Sequence, residues 1–392
     1  MTGYDDLGVR RVINAAATLT RLGGARMPPP VVAAMAEAAG AFVDLDELQA
    51  RVGERIAALT GNEACYVSAG AAAGLVVATA ACIAGTDPAL IARLPHRHDR
   101  PNEVIIHRAH RNGYDHAVRQ TGATLVEIGG RVRGTRREEL EAALGPRTAC
   151  VVYFAGAHYA AGALPLPEVI DVAHARGVPV LVDAAAQIPP AANLRRFTRE
   201  LGADAAIFSG GKGLRGPQSS GLVLGRRAIV AGCRANGNPN HSIGRPMKVG
   251  KEELIGLLAA VEWSLAQDEA AVLAGYEATV AHWIAALADI PGVTTERGYP
   301  SEAGQPHSRA ILRFAPPCPL GRDEVAAALW AGDPRIAVGT VGADAIALNP
   351  QTLEPGEEAL VLAALRRVLA ADPTPDPSSA RGGGIARTAI VC

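Results

Sequence analysis

From about residue 60 the chain alternates short, almost wholly apolar runs rich in β-branched residues with Ala-rich stretches of helical length. Such alternation predicts an α/β domain whose mostly parallel sheet is covered by helices on both faces. Seven strands are expected, over Ala64–Val67, Val104–His107, Leu125–Ile128, Ala149–Phe154, Val178–Asp183, Ala205–Phe208 and Leu222–Leu224. Only 13 residues, rich in Gly, separate Phe208 from Leu222. That is too few for a packed crossover helix, so the last pair is expected to be antiparallel.

Beyond Pro246 the pattern becomes helical, from Lys251 to about Leu273 and again over Tyr276–Leu287, with Trp263 and Trp283 as expected packing anchors. The remainder, Ala310–Phe314, Arg322–Trp330, Ile336–Val341, Ala345–Asn349 and Pro355–Leu369, reads as a βαββα unit. The last stretch is Pro, Ser, Gly and Asp with almost nothing apolar, which predicts a disordered tail. The expected organisation is an N-terminal segment (1–45), a large domain (46–250), a smaller C-terminal α/β domain (251–371) and a tail (372–392). A length of 392 residues exceeds what one hydrophobic core usually serves, in keeping with that division.

Charge narrows the partners. Lys plus Arg (38) nearly cancel Asp plus Glu (39), so no broad electrostatic attraction to nucleic acid or an anionic membrane is expected, and the partner should be a small molecule. The longest apolar stretch, Ala71–Ala84, contains Gly74 and Thr79 and falls short of the roughly 18–20 residues a membrane span needs, so it reads as a core helix. Six scattered cysteines without a C-x-x-C pair, and an N-terminus without a basic and apolar leader pattern, point to a reducing cytoplasm.

Three segments carry candidate chemistry. Ser68-Ala69-Gly70-Ala71-Ala72-Ala73-Gly74 places small residues between a strand and a helix, where free amides and the positive end of the helix dipole can hold a phosphate; a plain tight junction is the alternative. Asp183 ends a very apolar run and so falls at the carboxyl edge of a central strand, where open α/β sheets bind ligands. Such a carboxylate can cap a helix or pair with a protonated ring nitrogen. Lys212 follows 29 residues later (212 − 183), in Ser209-Gly210-Gly211-Lys212-Gly213. The P-loop pattern fails, because Ala206 and Gly213 occupy the positions that need Gly and Ser or Thr, and no G-x-G-x-x-G fingerprint follows the first strand. A phosphate turn, a strand-end Asp and a Gly-flanked Lys together point to pyridoxal 5′-phosphate.

Particular phrases then resemble a known family: Ile13-Asn14-Ala15-Ala16-Ala17-Thr18, Val182-Asp183-Ala184-Ala185, Phe208-Ser209-Gly210-Gly211-Lys212 with Gly216-Pro217-Gln218, and Ile243-Gly244-Arg245-Pro246-Met247-Lys248. They resemble the fold-type I pyridoxal phosphate enzymes of the aspartate aminotransferase-like fold, in the selenocysteine synthase-like group, closest in appearance to the ammonia-lyases acting on D-glucosaminate 6-phosphate. The resemblance implies a mostly parallel seven-stranded large domain, Lys212 as the Schiff-base lysine and Asp183 as partner of the pyridine nitrogen. It further implies that Ser68, Gly70, Ala71, Ala72 and Ser209 hold the phosphate, that Ala185 borders the cofactor, and that His110 stacks on its ring with His107 as the fallback. Gln187 is placed at the cofactor O3′, although it follows Asp183 by four residues where desulfurase relatives have three. Gln218, Arg245, Lys248, Asn14 and Thr18 are implied to contact cofactor or substrate, some across a homodimer or larger assembly.

The start near Ile13-Asn14 leaves no room for the domain that grips tRNA in the selenium transferases, so no nucleic-acid partner is expected. The implied activity is that of a lyase removing the Cα proton of a small polar amino acid and eliminating a substituent. Racemase, aldolase and aminotransferase chemistry stay open, as do a tRNA-dependent transferase and a cofactor-binding protein without turnover. A desulfurase is disfavoured, with Cys233 the nearest cysteine to a sulfur acceptor. His96-Arg97-His98 with His107 and His110 lacks a recognisable ligand set, so no metal is expected. Thr135-x-x-Glu138 reads as a capping box on an ordinary helix.

Overall fold

A computed structural model describes residues 3–96, 101–130 and 133–370. Among them are twelve strands: β1 (Val12–Ala15), β2 (Ala64–Ser68), β3 (Glu103–His107), β4 (Thr124–Ile128), β5 (Thr148–Phe154), β6 (Val180–Asp183), β7 (Ala205–Ser209), β8 (Gly221–Gly225), β9 (Val293–Gly298), β10 (Arg309–Phe314), β11 (Arg335–Val341) and β12 (Ala345–Leu348). The chain forms two compact units, Gly23–Glu269 with Glu302–Gln305, and Met1–Leu22 with Ala270–Ser301 and Pro306–Cys392.

The larger unit is built on the seven expected strands, in the order β2-β8-β7-β6-β5-β3-β4. β3 to β7 pair in parallel, whereas β8 runs antiparallel to both β7 and β2, so the reversed strand is where the short Gly-rich connection demands it. The period-2 geometry of a strand sends alternate residues to two cores. Val151 and Tyr153 of β5 join one with Val180 and Val182 of β6, while Cys150, Val152 and Phe154 join the other with Leu181. Ala71–Ala84 is almost wholly buried in the second of these, as its apolar composition predicts.

The smaller unit has a five-stranded sheet, β1-β11-β12-β10-β9, in which only β1 and β11 are parallel. The expected βαββα order is present, with helices over Arg322–Ala331 and Glu357–Ala370; β1 and β9 are additions to it. Trp283 is fully buried in this unit's core with Leu312, Leu348 and Leu365, and its indole donates to the Glu358 carbonyl at 3.0 Å.

Three expectations need adjustment. The units divide at 22/23 and 269/270, not at 45/46 and 250/251. The Lys251–Leu265 helix stays with the large unit because it packs on the Pro29–Ala39 and Leu45–Thr60 helices: Lys251 Nζ donates to Ala38 O at 2.8 Å, and Glu262 pairs with Arg55 at 2.9 Å. The helix expected to reach Leu273 ends at Leu265, and a new one, Glu269–Leu287, follows. Among the described residues that helix, and not Ala71–Ala84, has the length and composition to cross a bilayer, but its Val280, Trp283 and Leu287 are core residues of the small unit. Thirdly, the helix cap falls one residue later than expected, Arg136 N–H donating to Glu139 Oε2 at 2.8 Å. The expected tail and the Arg97-His98 stretch lie outside the described residues.

Candidate cofactor site

The turn after β2 is shaped for close approach. Gly70 has φ +94°, a conformation costly for any residue with a Cβ, and it starts the Ala71–Ala84 helix, whose first amides have no intrahelical acceptor. Ser68 turns its hydroxyl inward and donates to Gly70 O at 2.9 Å. Ala72 is exposed and Ala71 half-buried, so this helix start is open to a ligand. Gly221, which the sequence reading did not single out, makes the arrangement possible. It is paired with Ser68 on one side and Ser209 on the other, and a Cβ there would lie 2.6 Å from the Gly70 carbonyl carbon. Two serines and a helix start thus meet at one edge of the sheet, which fits a phosphate.

Asp183 ends β6, opposite Phe154 of β5 and Ile207 of β7. It is only 7% exposed. Burial raises its pKa, and the Ala185 N–H, donated to Oδ1 at 2.9 Å, together with the charge of Lys212, offsets part of that rise. A buried carboxyl with so little stabilisation fits a protonated heterocyclic nitrogen as its missing partner. The backbone of Ala185 therefore holds Asp183.

Lys212 follows β7 in a loop that tolerates little but glycine around it. A Cβ on Gly210 would lie 2.1 Å from Ser220 Oγ, on Gly211 2.5 Å from Gln218 Cα, and on Gly213 2.1 Å from Ile188 O. Gly210 N–H donates to Ser220 O at 2.8 Å, and Arg215 N–H to Lys212 O at 2.9 Å. Arg215 adopts φ +56° and is held there by a bond from Nε to Arg26 O and by the Trp263 ring 5.4 Å beneath its guanidinium. Packed backbone on both sides fixes where the Lys212 side chain starts, and its charge acts on Asp183. Gln218 contributes its backbone to this packing, and its side chain is exposed.

His110 is fully buried. Its Nδ1 accepts the Phe154 N–H at 3.2 Å, and its ring is enclosed by Tyr153 at 4.6 Å, His107 at 4.8 Å and Tyr159 at 5.7 Å between centroids. Burial, then the neighbouring His107, lowers its pKa to about 3, and burial lowers that of His107 to about 4, so both are neutral bases at ordinary pH. Tyr159 was not anticipated; it sits in an Ala-rich stretch without a recognisable spacing to Asp183. Its phenol is half-buried, and burial and the charge of Asp183 raise its pKa.

The remaining residues are distributed more widely. Gln187 Nε2 donates to Ala155 O at 3.2 Å and Ala303 O at 2.8 Å, so its amide hydrogens tie two backbone segments together and are not presented to a ligand as expected. Arg245 lines a shallow depression of about 330 Å³ with Ile91, Leu94, Pro95 and His241, and Lys248 is exposed. In the small unit Asn14 spends its amide on Ala17 O at 2.8 Å, shaping the turn after β1, and Thr18 is buried. Cys233 is fully buried and burial pushes its thiol well up, leaving no thiolate to accept sulfur.

Residues 96–237 match the family model for aminotransferase class-V. The chain is 34% identical over 373 residues to D-glucosaminate-6-phosphate ammonia lyase of Salmonella typhimurium (strain 14028s / SGSC 2262), covering 93% of this chain and 97% of the relative. A solved structure of D-glucosaminate-6-phosphate ammonia-lyase superimposes with a TM-score of 0.81 at 33% identity, over 94% of this chain and 99% of that one. The chain belongs to the selenocysteine synthase-like group of fold-type I pyridoxal phosphate enzymes. The cofactor of this group is pyridoxal 5′-phosphate, and the phosphate turn, Asp183 and Lys212 are the parts of the large unit that fit it. A second member of similar closeness, 36% identical over 375 residues and covering 91% of this chain and 90% of the relative, is 5′-C-glycyluridine monooxygenase-decarboxylase of Streptomyces sp..

Proposed function

We propose that the protein is a lyase that deprotonates Cα of a small polar amino acid and eliminates a substituent, releasing ammonia and a keto acid. The observation that carries this reading is the pairing of Lys212 with a buried Asp183 at adjacent strand ends, in a chain one-third identical over most of its length to an ammonia lyase. When bound, pyridoxal phosphate supplies an electron sink for the negative charge left at Cα. The neutral Lys212 amine takes the Cα proton and returns it, from a backbone held in place by the close packing of Gly210, Gly211 and Gly213. Asp183 stays ionised against the pyridine nitrogen and keeps that nitrogen protonated. Ser68, Ser209 and the amides of Gly70 to Ala72 hold the phosphate and fix the ring's orientation. Arg245 and Lys248 would serve the site of a partner in a homodimer, and the protein would act in the cytoplasm on a free small molecule without RNA.

The test is product analysis with polar β-hydroxylated or β-substituted amino acids. The lyase reading predicts ammonia and a keto acid without any added acceptor, and solvent deuterium in the product. Transamination would stall after one turnover, and racemisation would exchange the Cα hydrogen without ammonia. A second reading is favoured by the Streptomyces relative, whose name joins oxygenation to decarboxylation. It predicts oxygen consumption and carbon dioxide release in step with turnover.

A further inference from the structure

Glu302–Gln305 forms a strap that belongs to the large unit, although the chain before it (Ala270–Ser301) and after it (Pro306–Cys392) builds the small one. Two side-chain amides running in opposite directions fasten it to the segment that follows Asp183. Gln187 Nε2 donates to Ala303 O of the strap at 2.8 Å, and Gln305 Nε2 of the strap donates back to Ile188 O at 2.7 Å. Both glutamines are buried, Gln305 with only 2% of its surface exposed. Between Ala303 and Gln305, Gly304 has φ +84° and lies so near the loop after β5 that a Cβ would sit 2.8 Å from Ala157 N. A buried, bonded amide beside a bend that glycine alone takes easily holds the strap in one seat.

The segment it holds borders the lysine loop. Ala184 N–H donates to Ile207 O at 2.8 Å and Ser209 N–H to Ala185 O at 3.3 Å, which ties the near end of the segment to β7. At the far end the Ile188 carbonyl meets the lysine loop itself: a Cβ on Gly213 would lie 2.1 Å from Ile188 O and 3.0 Å from Ile188 Cβ. Gly213 directly follows Lys212. The carbonyl that receives Gln305 is therefore the one against which the residue next to Lys212 packs. Gln187 also donates to Ala155 O at 3.2 Å, and Ala155 N–H donates to Asp183 O at 2.8 Å, so the other fastening leads back to the backbone of Asp183.

We propose that Gln305 is a positioning residue for Lys212: it fixes the Ile188 carbonyl, the carbonyl fixes Gly213, and the point from which the lysine side chain starts is thereby set. Without its donor the buried Ile188 carbonyl is held less well and the contact with Gly213 relaxes, so the amine meets the cofactor aldehyde in a poorer geometry. Gln187 acts on the same strap, which couples the two glutamines. The inference rests on the assignment of Lys212 to the cofactor and concerns what holds that lysine in place.

The experiment follows, without substrate, the rate constant with which visible absorbance appears when cofactor-free full-length protein is mixed with pyridoxal 5′-phosphate. Gln305→Met keeps the length of the side chain without its donor and should slow this step about tenfold, as a small misplacement of a reacting group does. Gln187→Met should slow it too, and the double variant should lose less than the product of the two single effects, because either change loosens the same strap. Leu329→Ala, in the core of the small unit, lowers the melting temperature without touching the strap and should leave the rate within about twofold. Gln305→Asn, whose amide is one methylene too short to reach Ile188 O, serves if Gln305→Met does not fold and should also be slowed. A rate within about twofold of wild type in the Gln305 variant, an equal slowing in Leu329→Ala, or single effects that multiply in the double variant overturns the proposal. Wild-type protein that develops no visible absorbance overturns the cofactor assignment itself, a distinguishable result.

Discussion

Asp183 and Lys212 stand at the carboxyl ends of the adjacent parallel strands β6 and β7, and the lysine's charge partly offsets the cost of burying the carboxylate. The site is thus strained electrostatically before any ligand arrives, because a carboxyl whose pKa is raised in the folded state contributes less stability once it ionises. That strain is the kind of local conflict expected where function overrides stability.

Asp183→Asn should therefore separate stability from activity. In cofactor-free protein the variant should melt at or above the wild-type temperature at pH 7, and its advantage should shrink as pH falls through the raised folded pKa of Asp183 toward about 4, then stay constant below that, where the unfolded carboxyl is protonated too. Bound cofactor should be retained while turnover falls by about 10²-fold or more, because a neutral amide does not keep the ring nitrogen protonated. Wild-type turnover in this variant contradicts the role given to Asp183.

Gly221→Ala tests the phosphate turn from the side of the sheet. The added methyl would lie 2.6 Å from the Gly70 carbonyl carbon and 2.9 Å from Ala71 N. We expect about 1–3 kcal/mol of destabilisation from the forced backbone shift, and weaker cofactor binding than in Gly225→Ala, where the clash is with Asp204 and Ala205 at the opposite strand end. Equal cofactor affinity in the two variants would remove Gly221 from the account.

Much of this was legible in the chain. Most of the large-sheet strands are apolar on both faces, so their sequences announce themselves, and the short link from Phe208 to Leu222 revealed the reversed strand. β9 escaped because Val293–Gly298 is an edge strand with a single buried residue, and β1 because four residues give too little periodicity. Asp183, Lys212 and the phosphate turn were readable because charge or glycine at a strand end is unusual. Gly221 and Tyr159 were not, since their meaning comes from neighbours far away in sequence: Gly70 for the first, Asp183 and His110 for the second.

The buried histidines give a pH signature with a definite sign. His110 and His107 have pKa values lowered to about 3 and about 4, so the unfolded state takes up their protons first. Their neutral burial is without penalty above about pH 6.5 and costs stability progressively as pH falls from there toward the folded values. The urea midpoint should drop between pH 7 and pH 5, and His110→Phe should drop less steeply. An identical slope in both proteins contradicts the buried neutral state.

Arg245 and Lys212 should complement one another in mixed dimers. If Arg245 completes the partner's site, Arg245→Ala and Lys212→Ala homodimers are both inactive, and random reassortment regenerates about one quarter of wild-type sites, from two-fold symmetry. Subunit-exchange assays on denatured and refolded mixtures measure this; no recovery in confirmed heterodimers contradicts a shared site.

The most direct measurement is borohydride reduction of the protein loaded with pyridoxal 5′-phosphate, followed by peptide mapping. The account predicts loss of the visible absorbance with stoichiometric label on Lys212, and neither absorbance nor label in Lys212→Ala. Label on Lys248 or Lys251 in place of Lys212, or an undiminished visible band in Lys212→Ala, would contradict it.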